Sequence, residues 1–131
     1  MATPIFHLLE GAPQPVAPYS HAVELDGWLF LAGQLATDMV YDPSRIPDDI
    51  EAQTHKVMEN LQAVLRGVGA DLEDVVAARV FLTRFEEDYD RMNRVYAGYF
   101  AEGRRPARTC VGVTALAGGG RVEIDVIARR P

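Results

Sequence analysis

Two kinds of polar residue lie within the apolar, β-prone end of this sequence. Arg108 is followed by Cys110, and further on Glu123 and Asp125 alternate with Val122, Ile124 and Val126. Successive side chains of a strand point to opposite faces, so Arg108 shares one side of its strand with Cys110. The two acids likewise share one side of theirs. Arginine presents a planar fork of donors to a carboxylate or phosphate, and a carboxylate can orient or deprotonate water.

These two segments are expected to pair as a hairpin, because the glycines at 118–120 predict a turn between them. Arg108 and Glu123 then have two interpretations, and the pattern alone leaves both open. They line a small polar pocket at a sheet edge or subunit seam, or they form an ion pair across the ladder. The pattern favours Cys110 as a small buried hydrophobe over a nucleophile, because the nearby sequence offers it no basic helper except arginine.

Other residues that suggest chemistry lack the spacing it requires. His7, His21 and His55 match no HxxxH or HExxH pattern, so they predict no metal site. Ser20 and His21 are adjacent, and adjacent strand residues point to opposite faces, which argues against a nucleophile–base pair. The glycines at 118–120 lack the GK[ST] ending of a phosphate-binding loop and stand between two predicted strands rather than before a helix.

The elements that must position these residues follow from periodicity and turn signals. Asp26-Gly27 between two apolar runs predicts a hairpin with a type I′ turn. Apolar residues at three- and four-residue spacing predict two helices. The expected elements are strands at 21–26 and 28–33, a helix at 49–68, a strand at 75–83, a helix at 87–102 and strands at 109–116 and 121–129. The prolines of residues 1–20 predict irregular structure there.

The element order β-β-α-β-α-β-β predicts an α+β fold. We expect a single domain over 1–131, with a mixed sheet covered on one face by two helices. Residues 75–83 and 110–116 are apolar on both sides of their strands, so the uncovered face needs a partner, and a second copy of the chain is the economical one. The alternative is a monomer whose sheet is partly exposed.

Composition and charge exclude several classes of protein. The net charge of −6 and the lack of a long basic stripe argue against a nucleic-acid partner. Twelve of the thirteen basic residues are arginine. A preference for arginine codons and a solvated basic C-terminal segment explain this excess without assigning the arginines a function. A single cysteine allows no internal disulfide. The longest apolar run, 28–32, is far shorter than the roughly 18–20 residues that span a bilayer. We therefore expect a cytoplasmic protein with no membrane partner.

Motifs along most of the chain resemble the Rid family, the reactive-intermediate enamine/imine deaminases also called YjgF-type or L-PSP proteins. The resemblance runs from about residue 12 to 129 and rests on seven motifs taken in this order. They are APYSHAV (17–23), LFLAGQ (29–34), DIEAQTHKVMENLQAVL (49–65), RVFLT (79–83), MNRVYAGYF (92–100), RPARTCV (105–111) and VEIDVIA (122–128).

This resemblance implies a chorismate-mutase-like fold and a homotrimer with sites at the subunit interfaces. It implies hydrolysis of 2-imino or enamino acids, such as 2-iminobutanoate and 2-iminopropanoate, to 2-keto acids and ammonia, with no metal or organic cofactor. By resemblance, Arg108 clamps the substrate carboxylate in a bidentate pair and Glu123 lies near the attacking water. The further site residues that it implies are Tyr19, Asn93 and the main-chain groups around Gly33 and Cys110.

The sequence also departs from the pattern of many deaminase members near the implied pocket. His21 stands where they have Gln, Ala32 where they have Ser, and Gly112 where they have Glu. These departures leave undetermined which side chain the substrate carries. Two alternatives therefore accompany the deaminase interpretation. One is a non-catalytic, small-carboxylate-binding regulatory trimer, and the other is a deaminase of a catabolic intermediate such as aminoacrylate or aminomuconate.

Overall fold

A computed structural model describes residues 2–131, which contain six strands and two helices. The strands are β1 (Ile5–His7), β2 (Ala22–Leu25), β3 (Trp28–Leu31), β4 (Val75–Leu82), β5 (Ala107–Gly112) and β6 (Val122–Arg129), and the helices are α1 (Ile50–Gly67) and α2 (Phe85–Ala97). They form one sheet in the order β1-β2-β3-β6-β4-β5. Only β4 and β5 pair in parallel, so the sheet is mixed as predicted.

The first hairpin confirms the turn read from the sequence. Asp26 and Gly27 have φ values of 52° and 79°, both in the left-handed region that a type I′ turn requires. Leu25 pairs with Trp28 across this two-residue turn, which fixes the register of β2 and β3. The side chains of Leu29 and Leu31 consequently enter the core.

Local hydrogen bonds determine where α1 begins and where α2 ends. The Asp49 side chain accepts the Ala52 N–H at 2.9 Å and caps α1, which confirms the helix predicted at 49–68 within a residue at each end. The second helix was predicted at 87–102 and forms at Phe85–Ala97. It is shorter because residues 98–100 continue as single turns, in which each N–H bonds to the carbonyl three residues back.

The core lies on one side of the sheet, beneath both helices. Alternate residues of β6 are buried there, while the residues between them are half-buried or exposed on the other side. The buried β6 residues are Val122, Ile124, Val126 and Ala128. They meet the apolar stripe of α1, which is formed by Ile50, Val57, Met58, Leu61, Val64 and Leu65. This arrangement confirms a single α+β domain with one covered sheet face. None of the helices in residues 2–131 has the length and apolar character needed to cross a bilayer.

The other face of the sheet is uncovered in the single chain and carries large apolar side chains. Phe30 is 46% exposed at its centre and Phe6 is 68% exposed at its edge. Trp28, Val111 and Ile127 on the same face are also exposed. We call this surface the open face. The prediction that a second copy covers it stays a prediction.

A buried ion pair fastens the first turn of α2 to the start of β6. The Asp88 carboxylate is fully buried and accepts two hydrogen bonds from the Arg121 guanidinium, one of them from Nε at 2.9 Å. Arg121 also donates to the Asp48 carbonyl at 2.9 Å. Because the pair joins α2 to the sheet, it fixes where the later residues of α2 meet the strands.

Two sequence-based predictions about strands are wrong. Residues 1–20 were predicted to be irregular, yet Ile5–His7 pairs with β2 as an edge strand, a position that tolerates the flanking Pro4. Met1, which belongs to that prediction, lies outside the described residues.

The last two strands do not form the predicted hairpin. The first of them occupies Ala107–Gly112 rather than 109–116 and pairs in parallel with β4. The second, β6, lies between β3 and β4. The connection from β4 through α2 has the length that a parallel crossover needs, so the following strand returns beside β4. The glycines at 118–120 then belong to a longer connection, with a 3-10 turn at Ala117–Gly119.

Candidate functional site

A cleft of about 340 Å³ lies beside the start of β6, and it brings together three residues that the family resemblance proposed. It is lined by Val16, Ala17, Tyr19, Ala32, Gly33, Leu35, Ala117 and Glu123. We call it the Glu123 cleft. Gln34 and Ile124 exchange two backbone hydrogen bonds, of 2.9 and 3.2 Å. Because these two residues directly follow Gly33 and Glu123, the exchange brings the glycine and the carboxyl group together.

The Glu123 carboxyl group packs directly against the backbone of Gly33. A Cβ atom at residue 33 would lie 3.0 Å from the Glu123 Cδ and closer still to Oε2, so only glycine leaves room for the carboxyl group. Burial raises the pKa of Glu123, and the negative charge of Asp125 raises it further. A half-buried carboxyl group with a raised pKa is better suited than an ordinary glutamate to exchange protons with a ligand.

Tyr19 enters the same cleft from the irregular segment before β2. Its hydroxyl oxygen accepts the Val16 N–H at 3.2 Å, which leaves the hydroxyl proton available to a ligand. Two residues later, the buried His21 ring accepts the Leu9 N–H on Nδ1 at 2.9 Å. Its Nε2 therefore carries the proton and donates to the Pro13 carbonyl at 2.7 Å. His21 thus fastens the segment that carries Tyr19.

The other two histidines also have structural contacts. Nε2 of His7 lies 3.2 Å from a Glu24 carboxylate oxygen, and Nδ1 of His55 lies 2.7 Å from the Tyr99 hydroxyl oxygen. Within residues 2–131, no group of three or more His, Cys, Asp or Glu side chains could hold a metal ion. The histidines therefore act here as hydrogen-bonding residues of the fold.

Arg108 lies on the helix side of the edge strand β5, next to two tyrosines of α2. It pairs with Ala78, whose side chain is buried under the helices. The Arg108 Cζ atom lies 4.9 Å from the ring centroid of Tyr96 and 5.9 Å from that of Tyr89. In the described part of the chain, no carboxylate oxygen lies within 4 Å of the Arg108 guanidinium. Its fork of donors is therefore free to bind an anion.

Cys110 also belongs to this neighbourhood, and Asn93 lies on the same face of α2 as Tyr89 and Tyr96, four residues after the first and three before the second. Cys110 pairs with the buried Val80 and so lies on the same side of β5 as Arg108, as alternation predicted. Burial raises the pKa of the Cys110 thiol more than the nearby Arg108 charge lowers it, which favours the protonated, non-nucleophilic form. On α2, the Asn93 Oδ1 atom is buried and has no hydrogen-bond partner in residues 2–131, and the same is true of the Tyr96 hydroxyl.

The Arg108 neighbourhood and the Glu123 cleft are separated within one chain. Glu123 pairs with Phe81 of β4, whereas Arg108 pairs with Ala78 on the other edge of the same strand. Arg108 and Glu123 are two strands apart across the sheet and three residues apart along the strands, which places their Cα atoms about 14 Å apart. Their side chains also leave opposite faces of the sheet, because Ala78 faces the helices and Glu123 the open face. The ion pair across a ladder, one of the two interpretations, is therefore wrong.

The aromatic support of Arg108 is a feature that sequence reasoning missed. The sequence places Tyr89 and Tyr96 on the apolar stripe of α2, which predicts that both are core residues. Seven residues apart, they lie on one helix face and meet the same guanidinium. No local signal could reveal this contact, because it depends on which strand packs against that face of the helix.

Comparisons with known proteins agree with the fold and with the motifs. The profile of the family described as "Endoribonuclease L-PSP" matches residues 9–130. The chain is 44% identical over 119 residues to protein DfrA of Myxococcus xanthus, covering 89% of this chain and 88% of that protein. It is 39% identical over 121 residues to the 3-aminoacrylate deaminase RutC of Acinetobacter baylyi, covering 92% of this chain and 94% of that protein.

A solved structure extends the agreement to three dimensions. The crystal structure of RidA from an Antarctic Psychrobacter species superimposes with a TM-score of 0.87 at 34% sequence identity, covering 95% of this chain and 98% of that one. Motifs, family profile, relatives and architecture coincide over nearly the whole chain. This chain therefore belongs to the endoribonuclease L-PSP family, which is the Rid family that its motifs resemble.

Proposed function

We propose that this protein hydrolyses reactive 2-imino and enamino acids to 2-keto acids and ammonia, at sites that two copies of the chain share. Membership of the Rid family supports deaminase chemistry in general, and the relative from Acinetobacter baylyi is named as a deaminase of 3-aminoacrylate. That substrate is an enamino acid with a carboxylate, so it belongs to the proposed class. The physiological substrate is thus a small imino or enamino acid.

The observation that carries this proposal is the free guanidinium of Arg108. The other partly buried arginines are paired with carboxylates, for example Arg121 with Asp88 and Arg130 with Glu24 at 2.6 Å. The remaining arginines without a carboxylate within 4 Å in residues 2–131 are exposed to solvent. Arg108 has no such partner in residues 2–131, although it is only partly exposed. An arginine held ready without a counter-ion fits a site for a ligand carboxylate, which accepts two parallel hydrogen bonds from the fork.

Glu123 and Tyr19 supply the groups that hydrolysis needs. Water attacks the electrophilic imine carbon and gives up one proton to the Glu123 carboxylate. Glu123 returns this proton to the substrate nitrogen, which gives a carbinolamine. As the carbon–oxygen double bond forms, the hydroxyl proton also passes to the nitrogen, which leaves as ammonia with both protons of the water. The overall reaction consumes one imino acid and one water and releases one 2-keto acid and one ammonia. The free hydroxyl proton of Tyr19 can bond to the substrate or to the water.

The separation of the two groups requires a second copy of the chain. Because Arg108 and Glu123 of one chain leave opposite faces of the sheet, a substrate of three or four carbons cannot contact both side chains. We therefore assign Arg108, Cys110 and Asn93 to one wall of the site and the Glu123 cleft of a neighbouring copy to the other. The exposed apolar residues of the open face, with Phe30 and Trp28 near its centre, supply a surface for such assembly. A homotrimer would make three equivalent sites.

The decisive experiment compares Arg108→Ala with the wild-type protein on imines generated in situ by an amino-acid oxidase. Loss of a charge-assisted pair is expected to lower kcat/KM by about 30- to 5,000-fold, corresponding to about 2–5 kcal/mol. The exposed Arg104, four residues earlier, gives a matched control, and Arg104→Ala should leave the rate within twofold. Activity of Arg108→Ala within threefold of wild type would refute the arginine clamp.

Mixing two inactive variants tests whether the site is shared. Arg108→Ala and Glu123→Gln are each expected to be inactive alone. Reassembled together in equal amounts, they should recover about one quarter of the wild-type activity, because that fraction of sites combines one intact residue from each copy. No recovery despite verified hybrid assembly would place both residues in one chain's site.

The same assays separate the deaminase from a non-catalytic carboxylate-binding trimer. If 2-keto acids raise the melting temperature while 2-iminobutanoate, 2-iminopropanoate and 3-aminoacrylate all decay at the uncatalysed rate, the protein binds carboxylates without turnover. Sedimentation would then still report a mass of three times 14.4 kDa. Accelerated decay of one of these imines instead identifies the preferred side chain.

A further inference from the structure

Arg108 is held in a different way from the arginines that form ion pairs in this chain. Its guanidinium lies over the ring face of Tyr96, at 4.9 Å, and near that of Tyr89, at 5.9 Å. A cation is attracted to the electron-rich face of an aromatic ring, and a guanidinium can stack there through its plane. Its N–H donors lie at the edge of that plane and stay available.

The two rings are themselves fixed by neighbouring aromatic side chains. Tyr96 contacts the Phe100 ring at a centroid distance of 5.0 Å and is only 5% exposed. Tyr89 stacks on Phe85 at 4.8 Å. Phe100 and Phe85 therefore restrict the movement of the two tyrosine rings on which Arg108 rests. A flexible arginine side chain resting on these rings loses less freedom when a ligand binds.

A carboxylate partner would serve the binding of an anion poorly. Where Arg121 meets the buried Asp88, and where Arg79 meets Asp125, the acid occupies the fork and compensates its charge. Aromatic faces orient a guanidinium and leave both the fork and the full positive charge for the incoming anion.

We propose that Tyr96, assisted by Tyr89, is the positioning residue that holds the Arg108 guanidinium in place for the ligand carboxylate. This inference rests on the proposed function, since it assumes that Arg108 binds a carboxylate. The ring face performs the task and the hydroxyl does not. The Tyr96 hydroxyl is buried without a hydrogen-bond partner in residues 2–131, so its removal leaves no protein group unpaired.

The test separates the ring from the hydroxyl and binding from folding. Tyr96→Leu removes the aromatic face, whereas Tyr96→Phe keeps it. For Tyr96→Leu we expect KM for the imine and the Kd for 2-ketobutanoate, measured by calorimetry, to rise about 5- to 30-fold. The value of kcat should change less than threefold, because the carboxylate contact is the same in the ground state and the transition state. Tyr96→Phe should match wild type within twofold.

A matched control lies in the turn just after the same helix. Tyr99 contacts His55 rather than Arg108, so Tyr99→Leu should leave KM and Kd unchanged. If Tyr96→Leu fails to fold, the half-buried Tyr89 decides the question, and Tyr89→Leu should raise Kd about two- to fivefold. Wild-type KM and Kd in the folded Leu variant, or equal damage from Tyr96→Phe, would overturn the inference.

Failure of the proposed function gives a different result. If the wild-type protein neither hydrolyses the imines nor binds 2-ketobutanoate, the function itself is refuted, and this inference with it. If Arg108→Ala abolishes binding of 2-ketobutanoate and Tyr96→Leu does not weaken it, Arg108 keeps its role and only the aromatic support is refuted.

Discussion

Gly33→Ala should disable the protein without unfolding it, because the three atoms nearest to its new methyl group all belong to the flexible Glu123 side chain. The added Cβ atom would lie 3.0 Å from the Glu123 Cδ. Carbon atoms in contact prefer separations of about 3.5–4.0 Å, so the carboxyl group must retreat by about 0.5–1 Å. The backbone of Gly33 lies outside the left-handed region, and no backbone strain adds to this displacement.

The magnitudes predict a clear difference between stability and activity. The clash involves the end of a flexible side chain, so the free energy of unfolding should fall by about 1 kcal/mol, at the low end of overpacking effects. A catalytic group displaced by about 1 Å can lower the rate by about 100-fold. We therefore expect kcat/KM for imine hydrolysis to fall about 30- to 100-fold, with a melting temperature lower by only a few degrees.

The assay combines steady-state kinetics with thermal unfolding, and Gly98→Ala is the control. A Cβ at residue 98 would meet the Val95 carbonyl oxygen at 3.5 Å, an ordinary contact, so that variant should keep full activity. In a Glu123→Gln background, Gly33→Ala should cause no further loss, because the group it displaces is already inactive. Activity of Gly33→Ala above one third of wild type, or a further loss in that background, would refute the reasoning.

Three other predictions test the electrostatics. Burial raises the pKa of Glu123 above the ordinary 4.5. If activity needs the ionised carboxylate, the pH at which half of the activity is lost on acidification should lie above 4.5. A midpoint at or below pH 4.5 would contradict this role. A raised pKa means that folding favours the protonated form of Glu123. Its contribution to the free energy of unfolding is complete below pH 4.5 and is lost as the pH rises through the folded-state pKa. Glu123→Gln, which stays uncharged, should therefore be more stable than wild type in urea unfolding at neutral pH. Asp88→Ala removes the buried carboxylate of Arg121, which is only 16% exposed, and leaves it only the exposed Glu87 at 3.6 Å. This change should cost about 3–5 kcal/mol. The exposed pair of Arg66 with Asp71 should contribute only about 0–1 kcal/mol to the free energy of unfolding. If Asp88→Ala and Arg66→Ala lower that free energy equally, burial does not determine how much an ion pair stabilises this protein.

Local chemistry made several elements predictable from the sequence. The Asp26-Gly27 turn needs two positive φ values, and only a few residue types adopt them easily, so the first hairpin could be predicted. The helix at Ile50–Gly67 follows from its apolar residues at three- and four-residue spacing. In each case the deciding interactions lie within a few residues along the chain.

The site was only partly predictable. Motif resemblance proposed Tyr19, Gly33 and Glu123 together, and the fold brings them to one cleft. The strand pattern and the glycines at 118–120, in contrast, predicted a hairpin with Arg108 opposite Glu123, which is wrong because β4 lies between their strands. Strand order depends on contacts between distant segments, and no short-range pattern records them.

What the sequence by itself determined was the set of elements, the apolar side of each, and the family to which the chain belongs. Only the tertiary structure decided that β6 inserts between β3 and β4, so that Arg108 and Glu123 leave opposite faces of one sheet. It also decided that Arg108 lies over Tyr96 rather than beside an acid. The physical reason is that side-chain alternation fixes a residue's face within its own strand, whereas its neighbours across the sheet are fixed by the packing of the whole core.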